Sequence, residues 1–354
     1  MHPVTTRGRT QRTGGAPLTT RSAALLLAAA CASSAGPPVK PGFLARRDYV
    51  SISYIGVAAA DTNGDKIPDL IGLGGADIEV LFGNGNGTFR QGPKTYTGLY
   101  NQFYPVASDL NGDRKIDLIF SGAQQQSGPW GLGVSLGNGD GTFQTATFYQ
   151  IGTDVYPGNV VLGDFNSDGI PDVALSGESG IWLFTGKGGG AFNPGVLTPF
   201  SQTFGGEAVA AQFSSGNLDL AVTTSTGFAV FLGNGDGTFQ PPQQYNIGLG
   251  TLDRAWIATA DLNLDGYSDV AVAGYPLTPP APGYVEVYLG TGTGALTGPA
   301  HAQLSPVEQI ALGDLNGDGI PDLVGASGFV AFGNGDGTFK APRYYPVPSG
   351  TERS

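Results

Sequence analysis

Cysteine is almost missing from this chain of 354 residues: Cys31 is the single one, so no internal disulfide can staple its loops. Histidine is nearly as scarce. His2 and His301 are the only two, and neither a Ser-His-Asp nor a Cys-His nucleophilic arrangement can be assembled from such a set. Charged residues make up 13% of the sequence, with 17 basic against 29 acidic side chains and a net charge of −12. A nucleic-acid partner is thereby disfavoured, because phosphates call for a basic surface. The apolar run "AALLLAAACA" at Ala23 is too short to cross a bilayer as a helix.

What the chain has in quantity is glycine, 59 residues, and proline, 25, beside 40% hydrophobic residues. Such a mix suits many short strands joined by tight turns around a sizeable core, and predicts almost no helix. Residues 1–36 differ from the rest: Arg7, Arg9, Arg12 and Arg21, no acids, then the apolar run and small residues. This reads as a secretory leader, which predicts export to the outside, the cell surface or the periplasm. Two outcomes for it stand. Either cleavage near Ala32 or Ala35 discards Cys31, or "LAAAC" acts as a lipoprotein signal and Cys31 carries a lipid anchor. Without the leader arginines, 13 basic against 29 acidic residues leave a charge of −16.

The nonapeptide "DLNGDGIPD" at Asp314 has near-copies at Asp61, Asp109, Asp164 and Asp261, with a degenerate sixth, "AQFSSGNLD", ending at Asp219. Anchored on Asp69, Asp117, Asp172, Asp219, Asp269 and Asp322, the copies are spaced by 48, 55, 47, 50 and 53 residues. A period near 50 holds about four short strands. In the first copy "YIGVAAA", "LIGLG", "IEVLFG" and a segment ending at Tyr96 are strand-length and bounded by turn residues. The turn "GNGDGTF" recurs at Gly137, Gly233 and Gly333, and its phenylalanines, among them Phe143, Phe192, Phe239 and Phe339, are expected to pack between units. Four-stranded units with two uncovered apolar faces satisfy them by closing into a ring. The expected fold is all-β, a β-propeller of six blades over residues 55–347, with seven as the alternative. Residues 37–54 and 348–354 flank it. "FLARRDYV" at Phe43 and "FKAPRYYPV" at Phe339 each offer an outer strand to close the ring.

The pairing of "DLNGDGIPDLV" with "FGNGDGTF" at this period resembles the FG-GAP, or VCBS, repeats of integrin α-subunit propellers, of many secreted bacterial proteins and of some fungal lectins. The resemblance covers roughly Ile55 to Tyr345. It implies an exported adhesion or recognition module that binds a cell-surface protein or a glycan.

In D-x-N-x-D-G-x-x-D the oxygens at positions 1, 3, 5 and 9, with the carbonyl at position 7, form the all-oxygen set that suits Ca²⁺. The candidate ligands are Asp61, Asn63, Asp65, Ile67 and Asp69; Asp109, Asn111, Asp113, Lys115 and Asp117; Asp164, Asn166, Asp168, Ile170 and Asp172; Asp261, Asn263, Asp265, Tyr267 and Asp269; and Asp314, Asn316, Asp318, Ile320 and Asp322. Five ions would bring −16 to −6, relieving the repulsion that clustered carboxylates create. The fourth loop keeps only Asp219 and is expected to be a metal-free turn.

Strand parity places the acidic loops and the "GNGDGTF" turns on one rim and the irregular links on the other. Those links carry Tyr100, Tyr104, Trp130, Tyr156, Phe204 and Tyr275, the candidate ligand-binding residues, since exposed aromatics suit sugar rings or protein loops. No catalytic residues are proposed. A purely structural module, or a carbohydrate-active enzyme using an acidic pair, are the alternative functions.

Overall fold

The computed structural model describes residues 56–152, 157–200, 206–248, 251–276, 284–302, 309–326 and 328–345. The leader, the 37–54 segment with "FLARRDYV", and the 348–354 tail lie outside the described residues, as do Tyr156 and Phe204. Within the described part, six four-stranded antiparallel sheets follow one another with their strands in sequence order, interrupted only in blade 3, where the small hairpin of Gly186–Gly188 and Ala191–Phe192 precedes the last strand. They form a six-bladed β-propeller, and the seven-blade alternative is not realised.

Blade 1 consists of Gly56–Ala60, Asp69–Gly74, Asp77–Gly83 and Phe89–Tyr96. The innermost strands of the other blades are Tyr100–Ser108, Pro157–Gly163, Ala208–Ala211, Leu252–Ala260 and Ile310–Gly313. Blade 6 takes its outer strand, Arg343–Tyr344, from the "FKAPRYYPV" segment, paired with Phe329–Ala331.

Middle strands are buried on both faces because each sheet is sandwiched between two others. "DLIFSGA" (Asp117–Ala123) is buried at every residue, so its apolar run is continuous and not alternating. Outer strands have water on one side. "QQYN" (Gln243–Asn246) accordingly alternates half-buried and exposed.

The core is a series of clusters between successive blades. Ile71 and Val80 of blade 1 pack with Leu118 and Phe120 of blade 2, and Phe143 from the blade 2 turn closes that cluster. Phe192 and Phe239 do the same at the next two interfaces, Leu296 takes that place between blades 4 and 5, and Phe339 between blades 5 and 6. Phe239 meets Phe165 of the preceding blade edge to face at 5.8 Å between ring centres. These turn phenylalanines are therefore the wedges between blades that the repeat pattern predicts.

The fourth acidic loop corrects the nonapeptide frame. In the other blades the residue paired with the last aspartate lies nine before it, as Ala60 does for Asp69, whereas Ala211, eight before, pairs with Asp219. Phe213 thus takes the place that Thr62 holds in blade 1, six and not seven residues before its aspartate. One residue has been lost from this loop along with its acids.

Candidate functional site

Each complete acidic loop is folded by its own side chains. In the last copy, Asp314 accepts from the Gly317 and Gly319 amides at 2.7 and 2.8 Å, Asn316 from Asp318 at 2.8 Å, and Asp318 from Ile320 at 2.9 Å. The same bonds recur around Asp61 and Asp109. Short polar side chains that catch the backbone two to five residues on hold a tight turn without help from regular structure. Positions 4 and 6 adopt positive φ, which is why glycine dominates there; Leu264 at φ 61° and Lys66 at φ 68° are departures that bear backbone strain.

The last aspartate of each copy has a different position. Asp69, Asp117, Asp172, Asp219, Asp269 and Asp322 are fully buried. In every blade one oxygen accepts from the amide after the inner strand and the other from the first glycine of the third turn. For Asp117 these are Leu110 and Gly137 at 2.9 and 2.8 Å; for Asp219 they are Phe213 and Gly233 at 2.9 and 2.8 Å. The side chain therefore buckles the two turns of a blade together whether or not its loop has other acids.

A second device links blades. The last glycine of the third turn donates its amide to the acidic or vestigial loop of the preceding blade: Gly141 to Thr62 at 3.0 Å, Gly237 to Phe165 at 3.1 Å, Gly294 to Phe213 at 2.9 Å and Gly337 to Leu262 at 3.1 Å. Gly141 has φ 87°, and a Cβ there would lie 2.6 Å from the Phe82 ring of blade 1. Gly141→Ala should lower stability by about 2 kcal/mol in denaturant unfolding, from backbone strain plus displaced packing. A change under about 0.5 kcal/mol would show that this contact does not hold the blades together.

Charge in the loops is concentrated and poorly balanced. Burial pushes the carboxyls of Asp117, Asp269 and Asp322 above the usual range, opposed by their amide bonds and reinforced by the two loop aspartates beside each. Lys115 near Asp113, 3.8 Å away, is a distant partner for one loop. Among the described residues no three acidic, histidine or cysteine side chains converge tightly enough to make a ready-formed metal centre. The donor chemistry, however, is all oxygen, anionic and repeated in five loops, and it fits a hard divalent cation.

On the opposite rim lie the turns between second and third strands and the links between blades, tied by bonds such as Leu252 N–H to the Ser225 carbonyl at 2.8 Å. Of the aromatics expected there, Trp130 is a correction. It is only 4% exposed and belongs to the cluster between blades 2 and 3, 6.5 Å from the Phe103 ring, because it opens a middle strand covered on both faces. Tyr104 and Tyr275 are exposed, at 38% and 48%, and Tyr100 is half-buried. Tyr96, which begins the same link, is 59% exposed, and Tyr100 beside it holds its hydroxyl above the usual range. The insertion at Gln124 folds over this link, with Asn101 Nδ2 donating to the Gln126 carbonyl at 2.7 Å. Tyr96, Tyr100, Asn101 and Gln124 to Gln126 thus form one aromatic and amide-rich patch.

Glu207 and Arg254 stand at the start of the inner strands of blades 4 and 5. Glu207 touches solvent, but protein crowds its other sides; burial raises its carboxyl to about 8 against a favourable amide bond from Ile257. Folded protein therefore keeps a proton that the unfolded chain releases above about pH 4.5, and stability falls as pH rises from there to about 8. Glu207→Gln should be more stable than wild type by about 1–3 kcal/mol at pH 8 and equal to it at pH 4, the range allowing for solvent contact. A pH-independent difference between the two melting curves would refute this.

A ring of consecutive four-stranded blades, each with its acidic or vestigial loop on one rim, defines a repeat-built β-propeller. The FG-GAP-like repeat matches residues 61–120, 109–175, 214–272 and 261–325, and the chain belongs to that family. Three solved structures share the fold. A lectin of Agrocybe aegerita, described as recognising non-reducing terminal N-acetylglucosamine, is 22% identical, with 81% of this chain and 79% of that one covered and a TM-score of 0.60. The BP39L lectin of Burkholderia pseudomallei is 16% identical over 81% of this chain and 83% of that one, with a TM-score of 0.63. BBS1N, seen in complex with ARL6DN, is 12% identical over 82% of each chain, with a TM-score of 0.51. No curated protein matches in sequence.

Proposed function

We propose that the protein is an exported recognition module whose propeller binds glycans on the rim opposite the acidic loops, with calcium in five of those loops as a structural ion. The observation that carries this reading is the patch of Tyr96, Tyr100 and the overlying amides of Asn101 and Gln124 to Gln126. Tyrosine faces stack on sugar rings at small entropic cost, and neighbouring amides match hydroxyl pairs. Two of the fold relatives are lectins, which supports a carbohydrate over other ligands. Calcium would be held by the side chains at positions 1, 3, 5 and 9 and the position 7 carbonyl, and its charge would offset the crowded carboxylates. Among the described residues no helix is long and apolar enough to cross a membrane. The 1–36 leader is the basis for export, and a lipid on Cys31 would place the propeller at a cell surface.

A glycan array read in calcium buffer tests the reading. At least one carbohydrate class should bind, and Tyr96→Ala combined with Tyr100→Ala should weaken it tenfold or more, in line with about 1–3 kcal/mol from aromatic contacts. The melting temperature of the double variant should stay close to that of wild type. An array without signal from correctly folded protein would overturn glycan recognition and leave a structural role.

A further inference from the structure

Asparagine followed by glycine occurs eight times in this chain, each time in a turn on the acidic rim. Such a pair can react with itself: the glycine amide nitrogen attacks the side-chain carbonyl carbon, ammonia leaves, and water opens the resulting succinimide to aspartate or isoaspartate. Hydrogen bonds decide which of the eight is free to do so. In the acidic loops the nucleophile is engaged, since the amides of Gly64, Gly112 and Gly317 donate to Asp61, Asp109 and Asp314 at 2.8, 2.8 and 2.7 Å. At the first pair of each third turn the leaving group is held. There Nδ2 of Asn84, Asn138, Asn234 and Asn334 donates to the threonine hydroxyl four residues on, at 2.8–2.9 Å.

Asn86 is the exception. It is exposed, and its Oδ1 accepts from the Thr88 amide at 3.1 Å and from the Thr88 hydroxyl at 2.6 Å. Among the described residues its Nδ2 has no hydrogen-bond partner, and neither has the Gly87 amide. The corresponding glycines Gly141, Gly237 and Gly337 donate to the preceding blade, but no such bond joins Gly87 to Leu315 of blade 6. The two donors on Oδ1 sit where negative charge develops when nitrogen adds to the carbonyl carbon, which is the arrangement of an oxyanion hole. Nucleophile and leaving group are thus free while the electrophile is polarised.

The product fits the same turn. Three sister turns carry aspartate, Asp140, Asp236 and Asp336, where blade 1 has Asn86. Each accepts the same two bonds, at 2.9 Å from the amide and 2.5–2.6 Å from the hydroxyl of the threonine two residues on. Those threonine hydroxyls, with the amides, hold all three carboxyls below the usual range.

We infer that Asn86-Gly87 is a self-modifying site at which the folded protein converts asparagine to aspartate or isoaspartate. Gly87 N forms a bond to Asn86 Cγ, the Cγ–Nδ2 bond breaks, and the proton lost by the Gly87 amide leaves with the ammonia. Water then opens the ring, its hydroxyl going to a carbonyl carbon and its proton to the nitrogen. Opening at Cγ gives aspartate and a fourth turn like its sisters. Opening at the main-chain carbonyl gives isoaspartate, which lengthens the backbone against the closure of this turn by Asn84 N–H to the Thr88 carbonyl at 2.9 Å. Either product adds a negative charge to the acidic rim.

Peptide-mapping mass spectrometry of the full chain, aged at pH 7 and pH 9 in the folded state and in urea, tests the site. In folded protein Asn86 should convert at least about tenfold faster than any of the other Asn-Gly sites, and faster at pH 9, where the amide loses its proton more readily. In urea the eight rates should converge, because each asparagine precedes glycine and the bonds of the fold are gone. Thr88→Val should slow folded-state conversion about tenfold, and Thr88→Ser should retain it. Asp140→Asn rebuilds the pair in blade 2, where the Gly141 amide is committed to Thr62 at 3.0 Å, and should convert severalfold more slowly than Asn86. If Thr88→Val does not fold by circular dichroism, the wild-type ranking and Asp140→Asn decide. Asn86→Asp should melt within about 2 °C of wild type, whereas aged protein rich in isoaspartate, detected with an isoaspartyl methyltransferase, should melt lower. An Asn86 no faster than Asn84 or Asn138 in folded protein, an unchanged ranking in urea, or a rate indifferent to Thr88→Val and matched by Asp140→Asn would overturn the proposal.

Discussion

Asp219→Ala is expected to destabilise the protein by about 3–5 kcal/mol, although Asp219 belongs to the one loop that has lost its other acids. The side chain is fully buried and accepts from the Phe213, Ser214 and Gly233 amides at 2.9, 2.8 and 2.8 Å. Alanine leaves those amides unpartnered inside the protein, at about 1–3 kcal/mol each before relaxation. It also unties the first and third turns of blade 4. Ser215→Ala, in the same loop, should change stability by no more than about 0.5 kcal/mol. Urea titrations of both variants against wild type, with and without calcium, give the comparison. If Asp219→Ala lay within about 1 kcal/mol of wild type, the buried carboxylate would not be the buckle described above.

Asp318→Ala provides the contrast in a complete loop. Asp318 is exposed and its bonds are local, to the amide of Ile320 and, through its own amide, to Asn316. Its loss should matter little in chelator and more in calcium. Asp322→Ala, two turns tied by one side chain again, should be damaging in both.

Much of this was readable in the sequence because the repeat is close to verbatim. The period near 50 residues gives the blade, the continuous apolar runs give strands covered on both faces, and "GNGDGTF" gives both a turn and the wedge between blades. Parity of antiparallel strands places the two kinds of loop on opposite rims without further information. Other features lie beyond any such pattern. The last aspartate looks like one ligand among equals in D-x-N-x-D-G-x-x-D, and only its burial and its bond to a glycine eleven to twenty-one residues away reveal a separate structural role. Trp130 sits in an irregular, glutamine-rich stretch that reads as an exposed loop, yet it is the first residue of a middle strand. Tyr104, Glu207 and Arg254 are scattered across three repeats with no shared motif. The Tyr104 hydroxyl feels Glu207 and Arg254 only across blades, so no local reading could have related them.

Calcium should raise the melting temperature by ten degrees or more. At about 10 mM calcium and site dissociation constants of about 10⁻⁴ to 10⁻³ M, each filled loop adds about 1.4–2.7 kcal/mol to the folded state, since an unfolded loop has no preformed set of oxygens. Five such loops together exceed any single interaction described here, and for a domain of this size each kcal/mol moves the midpoint by about 2–4 °C. The electrostatic reason is local: around Asp117, Asp269 and Asp322 the aspartates at positions 1 and 5 bear on the buried third, and two added charges remove a repulsion that the folded chain otherwise carries. Thermal unfolding of the full chain in 10 mM calcium, in 10 mM magnesium and in excess EDTA is the most direct measurement. A large rise with calcium, little with magnesium, and a smaller calcium shift in Asp318→Ala than in wild type are the predicted results. Superimposable melting curves in calcium and EDTA would mean that the five acidic loops are self-sufficient turns and that the propeller stands without metal.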